Sequence, residues 1–105
     1  MTIKNKLDTI DHIAIQVESI KKSVKWYLEN FDCKLIYADK TWGFLQFKNT
    51  KLALVTKIDH PPHFAILDNN VESNSKAVTH RDGSVSFYIK DLDSNYIELI
   101  KYKDE

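Results

Sequence analysis

Apolar and polar positions alternate from Ile10 to Val17: Ile13, Ile15 and Val17 share one parity, and His12, Ala14 and Gln16 the other. A period of two belongs to a strand with unlike faces, here one aliphatic and one mixed. The spacing then lengthens. Ile20, Val24, Tyr27, Leu28 and Phe31 recur at helical intervals behind Ser19, a residue suited to capping, with Lys21, Lys22, Lys25 and Glu29 elsewhere. This predicts an amphipathic helix lying on the aliphatic face of the sheet. Three strand-like runs follow at 34–38, 42–47 and 52–56, separated by turn chemistry at Asp39-Lys40 and Asn49-Thr50.

Pro61-Pro62 interrupts the chain, and His63-Phe64-Ala65-Ile66-Leu67 restarts it with the parity of the first strand. The segment 68–75 is rich in Asn and Ser and too weakly periodic for a full helix, so a loop with at most one or two turns is expected. Runs at 84–90 and 96–102, joined by Asp91-Leu92-Asp93-Ser94-Asn95, read as a closing hairpin. His12-Ile13-Ala14-Ile15 thus returns as His63-Phe64-Ala65-Ile66 about half a chain later. Downstream, Phe44-Leu45-Gln46-Phe47-Lys48 loosely matches Phe87-Tyr88-Ile89-Lys90, and Leu52-Ala53-Leu54 matches Ile97-Glu98-Leu99. A motif that recurs together with its hairpin points to duplication. The expected fold class is α+β: two βαβββ-type modules, about 8–57 and 62–103, form a cupped mixed sheet in a single domain over 1–105, with the second crossover helix shortened or lost.

Composition narrows the partners. Lys+Arg and Asp+Glu number 15 each, and Arg81 is the one arginine, whereas nucleic-acid readers favour arginine forks; no nucleic-acid partner is expected. Cys33 stands alone, so no intrachain disulfide is available, and the opening stretch with Lys4, Lys6 and Asp8 has no apolar leader. A reducing cytoplasm is the expected compartment. No apolar run approaches the roughly 18 residues that span a bilayer, so no membrane partner is expected. Sites for phosphate cradling, a nucleophile elbow and a Cys-x-x-Cys pair are all absent from the sequence.

By the repeat, His12, Ala53, His63 and Glu98 hold equivalent places, and three of these four can bind a metal. Their parity sets each of the three opposite an aliphatic pair, on one face of one sheet. Asp11-His12-Ile13-Ala14-Ile15-Gln16-Val17, the helix ending near Trp26-Tyr27, the restart at His63, and the run from His80-Arg81-Asp82-Gly83 through Phe87-Tyr88 into Asp91-Leu92-Asp93-Ser94-Asn95-Tyr96-Ile97-Glu98-Leu99 resemble the vicinal oxygen chelate (glyoxalase/bleomycin-resistance/dioxygenase) superfamily over essentially the whole chain. Leu92 and Ser94 replace the proline and glycine of that family's last turn. The resemblance implies a divalent ion, Fe, Mn, Ni or Zn, on His12, His63 and Glu98, a set suited to such ions. It also implies a homodimer. Trp42, Phe44, Gln46 and Tyr88 have the parity to line a cavity, and Arg81 is placed to hold an anionic group of a small-molecule ligand.

Two functional classes remain. Glyoxalase I and methylmalonyl-CoA epimerase carry a fourth protein ligand where this chain has Ala53, so their chemistry is disfavoured. Ring-cleaving dioxygenases share the three-ligand set but add a histidine and tyrosine not placed by the sequence. A metal-dependent lyase, transferase or dioxygenase polarising substrate oxygens is one reading. The other is a metal-free module of the bleomycin-resistance kind that sequesters an apolar ligand. Catalytic residues are not assigned by the sequence.

Overall fold

The computed structural model describes residues 6–103; residues 1–5, with Lys4, and residues 104–105 lie outside the described part. The first strand, β1 (Ile10–Val17), leads into α1 (Ile20–Asn30), whose first turn is capped by Ser19 accepting a 3.2 Å bond from the Lys22 amide. Then come β2 (Lys34–Ala38), β3 (Trp42–Gln46) and β4 (Lys51–Thr56). The second half begins at β5 (His63–Leu67) and passes through a single 3-10 turn at Val71–Ser73. It then runs through β6 (Val78–Thr79), β7 (Val85–Lys90) and β8 (Tyr96–Lys101).

The eight strands form one sheet in the order β2-β3-β4-β1-β5-β8-β7-β6, symmetric about the β1/β5 boundary. β1 and β5 run antiparallel, while each runs parallel to the last strand of its own half. The symmetry shows in the register. Ala14 pairs with Ala53 as Ala65 pairs with Glu98, and Phe44 faces Ala53 as Tyr88 faces Glu98. The last-strand match therefore holds, but the hairpin match slips: Phe44 corresponds to Tyr88, not to Phe87. β6 has no counterpart among the strands expected from sequence, because two exposed residues are too short a run to show a period.

The halves differ in what covers the convex face. In the first, Ile20 and Val24 of α1 pack with Leu45 and Leu54, flanked by Ile15 and Val17. Gly43 makes this possible: a Cβ there would come within 3.2 Å of Ile20 and 3.3 Å of Val24, so the helix rests on bare backbone. Leu28 and Phe31, expected on the buried stripe, are half-exposed, because α1 overhangs β2, an edge strand exposed along its length. In the second half the 3-10 turn replaces the helix, burying Val71 but leaving Ile13 and Ile89 exposed. No helix among the described residues is long and apolar enough to cross a membrane.

Candidate functional site

The pseudo-symmetry axis passes through the pair Ile13–Phe64, which sets His12 opposite Ala65 and His63 opposite Ala14. Glu98 lies on the other side of Ala65. One line across the concave face therefore reads Glu98, Ala65, His12, and the alanines leave room for the longer side chains to meet above them. His12 Nε2 and His63 Nε2 lie 3.2 and 3.3 Å from Glu98 Oε1, and all three side chains are buried. Donor atoms of the three residues all fall within 4.8 Å of one another.

Each imidazole is held from behind. His12 Nδ1 bonds Asp11 Oδ2 at 2.8 Å, and His63 Nδ1 bonds the Pro61 carbonyl at 2.8 Å. A carbonyl only accepts, so His63 carries its hydrogen on Nδ1 and turns Nε2 to the site. Asp11 does the same for His12 and is itself held by the Tyr102 hydroxyl and by Lys51 Nζ at 2.9 Å. Neighbouring strand residues ordinarily take opposite faces. Here the register of β1 against β5 shifts between Ile10 and His12, and the Asp11 carboxylate reaches the ring beside it.

Electrostatics follow from these contacts. Burial works to raise the Asp11 pKa, but bonds from His12, Tyr102 and Lys51 outweigh it and hold the group at about 2. Burial is likewise overcome at Glu98, where His12, His63 and Ser86 hold the carboxyl well below its usual range. For His12, burial favours the neutral ring, yet the bonds to Asp11 and Glu98 raise its pKa above the ordinary value. An ionised carboxylate thus faces two ring nitrogens whose outer atoms are already satisfied. Either a proton on a ring or a cation between them reconciles these atoms, and the donor set, two imidazoles and one carboxylate with Nδ1 atoms bonded behind, fits a divalent ion.

The site opens into a cavity of about 370 Å³ that takes in all four histidines of the chain. Trp42, Phe44, Ala53 and Val55 form an apolar wall from the first half; Tyr88, Ser84, Thr79 and Arg81 line the second. Of the expected lining residues, Gln46 stands apart: it is exposed at the far end of β3, between Lys34 and Lys51, and bonds the Phe47 carbonyl. Arg81 lies at the rim, 71% exposed, and is engaged by Asp39 at 2.7 Å, across the cup. Asp39 also accepts from the Tyr37 hydroxyl and the amides of Thr41 and Trp42. Burial of Tyr88, followed by the charge of Glu98, pushes its hydroxyl well above the ordinary pKa, so it stays protonated.

Residues not singled out from sequence also enter the site. Tyr102 lines the cavity and Ser86 bonds Glu98 from below it; they have the parity of Glu98 and Tyr88, so alternation alone was enough to find them. His60 and His80, which sit outside the strands, both line the cavity. Burial and the nearby His63 keep the His60 pKa below the ordinary value.

No family model and no curated protein matches the chain. Solved structures do. A hypothetical protein from Bacillus halodurans C-125 superposes with a TM-score of 0.75 at 19% identity, over 95% of this chain and 98% of that one. Methylmalonyl-CoA epimerase from Mycobacterium tuberculosis gives 0.73 at 15%, over 97% and 93%. A glyoxalase/bleomycin resistance protein/dioxygenase superfamily member from Vibrio splendidus 12B01 gives 0.64 at 9%, over 90% and 98%. At these identities the likeness is one of fold.

Proposed function

We propose that this chain, whose fold is that of the vicinal oxygen chelate superfamily, holds one divalent ion on His12, His63 and Glu98 and acts with it on a small molecule in the adjoining cavity. The observation that carries the reading is the pair of satisfied Nδ1 atoms, which aims both Nε2 atoms at one oxygen of Glu98. When bound, a divalent ion supplies Lewis-acid polarisation of a ligand oxygen. The chain's own residues do the rest. Asp11, fixed by Tyr102 and Lys51, holds the His12 ring in place; Trp42 and Phe44 offer flat apolar surface to a ligand; Tyr88 keeps its proton as a donor. The donor set suits Fe, Mn, Ni or Zn. A lyase, transferase or dioxygenase is the class of reaction such a site serves. The place of a fourth ligand is taken by Ala53, which lines the cavity and disfavours chemistry that needs four protein donors.

The raised pKa of His12 favours a second reading, since a protonated His12 can pair with Glu98 and close the site without a metal. The protein is then a binding module for an apolar ligand. Metal analysis of protein purified without chelators separates the two. We expect about one ion per chain in the wild type and almost none in the His12→Ala/His63→Ala double variant; equal, near-zero contents in both reject the metal reading.

We further propose a homodimer of a cytoplasmic protein, each chain a single domain. Support comes from β2, an exposed edge strand bearing Leu35, Ile36 and Tyr37. Light scattering at micromolar concentration should give twice 12.3 kDa; a single-chain mass that persists on tenfold concentration rejects the dimer.

A further inference from the structure

The two oxygens of Glu98 have different neighbours. Oε1 faces His12 and His63, while Oε2 accepts a 2.7 Å bond from Ser86 Oγ, and Ser86 Oγ lies 2.6 Å from His80 Nε2. A serine hydroxyl has one proton to give. Because that proton goes to a carboxylate, which only accepts, the contact with His80 requires the histidine to donate. The chain therefore runs in one direction, from His80 Nε2–H to Ser86 Oγ–H to Glu98 Oε2. Ser86 is 2% exposed, so water does not compete for these bonds.

The register explains why a hydroxyl is there. Ser86 faces Ile100 on β8, two residues beyond Glu98 on the same face, and the related pair in the first half is Trp42 with Val55. Where the second half has serine and glutamate, the first has tryptophan and alanine. The hydroxyl accompanies the carboxylate and is absent where the carboxylate is absent. General tightening of the sheet does not explain that pairing; service to Glu98 does.

Resting on the metal reading above, we infer that Ser86, oriented by His80, is a positioning residue that commits Glu98 to hold the ion through Oε1 alone and so keeps one more coordination place open to a small-molecule ligand. Carboxylates bind divalent ions through one oxygen or two. A short charge-assisted bond on Oε2 opposes the second mode, since it fixes the carboxylate's orientation and draws on the electron density of the oxygen that would have to join the ion.

The test uses Mn²⁺ as the probe on the full chain, with uptake followed by titration and the number of water molecules left on the ion by water-proton relaxation. The wild type should take up Mn²⁺ and keep about three waters, as a six-coordinate ion with three protein donors does. Ser86→Ala should keep about one fewer, because Glu98 is released to bind with both oxygens, and Ser86→Thr should restore the wild-type number. His80→Ala changes only the partly exposed end of the chain and carries the test if Ser86→Ala does not fold; it should give an intermediate number. Wild-type hydration in both Ser86→Ala and His80→Ala, with Mn²⁺ still bound, overturns the inference and leaves the metal reading standing. A wild type that takes up no Mn²⁺ overturns the metal reading and the inference with it.

Discussion

Ala53→Glu places a carboxylate at the position related by symmetry to Glu98, in a wall made by Ala14, Phe44, Val55 and Trp42. The counterpart of Ser86 there is Trp42, which offers an indole N–H in place of a hydroxyl, and in the metal-free protein the new carboxylate is buried on the cavity that the ionised Glu98 already lines, against a like charge. An unpaired buried carboxylate costs several kcal/mol if fully enclosed. The side chain opens into the 370 Å³ cavity, so partial hydration brings the expected cost to about 2–4 kcal/mol. For a domain of this size each kcal/mol is about 4–8 °C in Tm, so the metal-free variant should melt at least about 8 °C below the wild type. Saturating metal at a hundred times Kd stabilises the wild type by about 2.7 kcal/mol. It should stabilise the variant by more, since the ion also neutralises the new carboxylate, and the gap between the two should largely close. The gain should be larger with ions that accept octahedral geometry, Mn²⁺ or Ni²⁺, than with Zn²⁺. Calorimetry with and without each ion reads all three quantities. If the metal-free variant melts with the wild type, or if metal raises both by the same amount, Ala53 does not face the ligand cluster and the four-position symmetry is wrong.

Asp11→Asn should lower metal affinity by about 10- to 100-fold while the far-UV spectrum is retained, because the group behind a ligating histidine sets its orientation and basicity; unchanged affinity would show that His12 is oriented without it. Acid should destabilise the protein through the same residue. The Asp11 pKa is depressed from 3.8 to about 2, so its contribution is fully present above pH 3.8 and is lost as the pH falls through 2. That contribution is at most about 2 kcal/mol, and urea midpoints of wild type and Asp11→Asn should converge over this interval. Curves that stay parallel down to pH 2 would refute the assignment. Ser94 holds a left-handed φ of 68° in the turn before β8, so Ser94→Gly should raise the unfolding free energy from urea titration by about 0.5 kcal/mol after the entropy of glycine is discounted; a lower value means that the turn stores no strain.

The strands and helix whose residues alternate or recur over five positions or more were legible in the sequence, and so was the joint placement of His12, His63 and Glu98, because parity alone carries a side chain to one face of a sheet. The parts that escaped depend on distance. Asp11 supports His12 through a local register shift that no period reveals. Asp39 meets Arg81 because the sheet curls until the turn after β2 approaches the loop after β6, a closure set by the whole sheet. Ser86 was visible by parity, but its part depends on which oxygen of Glu98 it reaches. Gln46 shows the converse: it has the right parity and lies too far along β3 to meet the cavity.

Gly43 and Phe87 are related by the symmetry of the sheet, Gly43 opposite Leu54 and Phe87 opposite Leu99. Over the bare backbone of the first, α1 lies down; over the second, a phenyl ring already occupies the ground, and β7 meets only a 3-10 turn. The two halves have thus become unlike parts that no longer interchange. Inserting a helix into the second half would drive it into Phe87, and changing Phe87 to glycine first would leave a hole beside the Val71 turn. The sheet thus keeps its twofold register while its convex face is furnished differently on the two sides: a helix can be accepted only where a position without a side chain receives it.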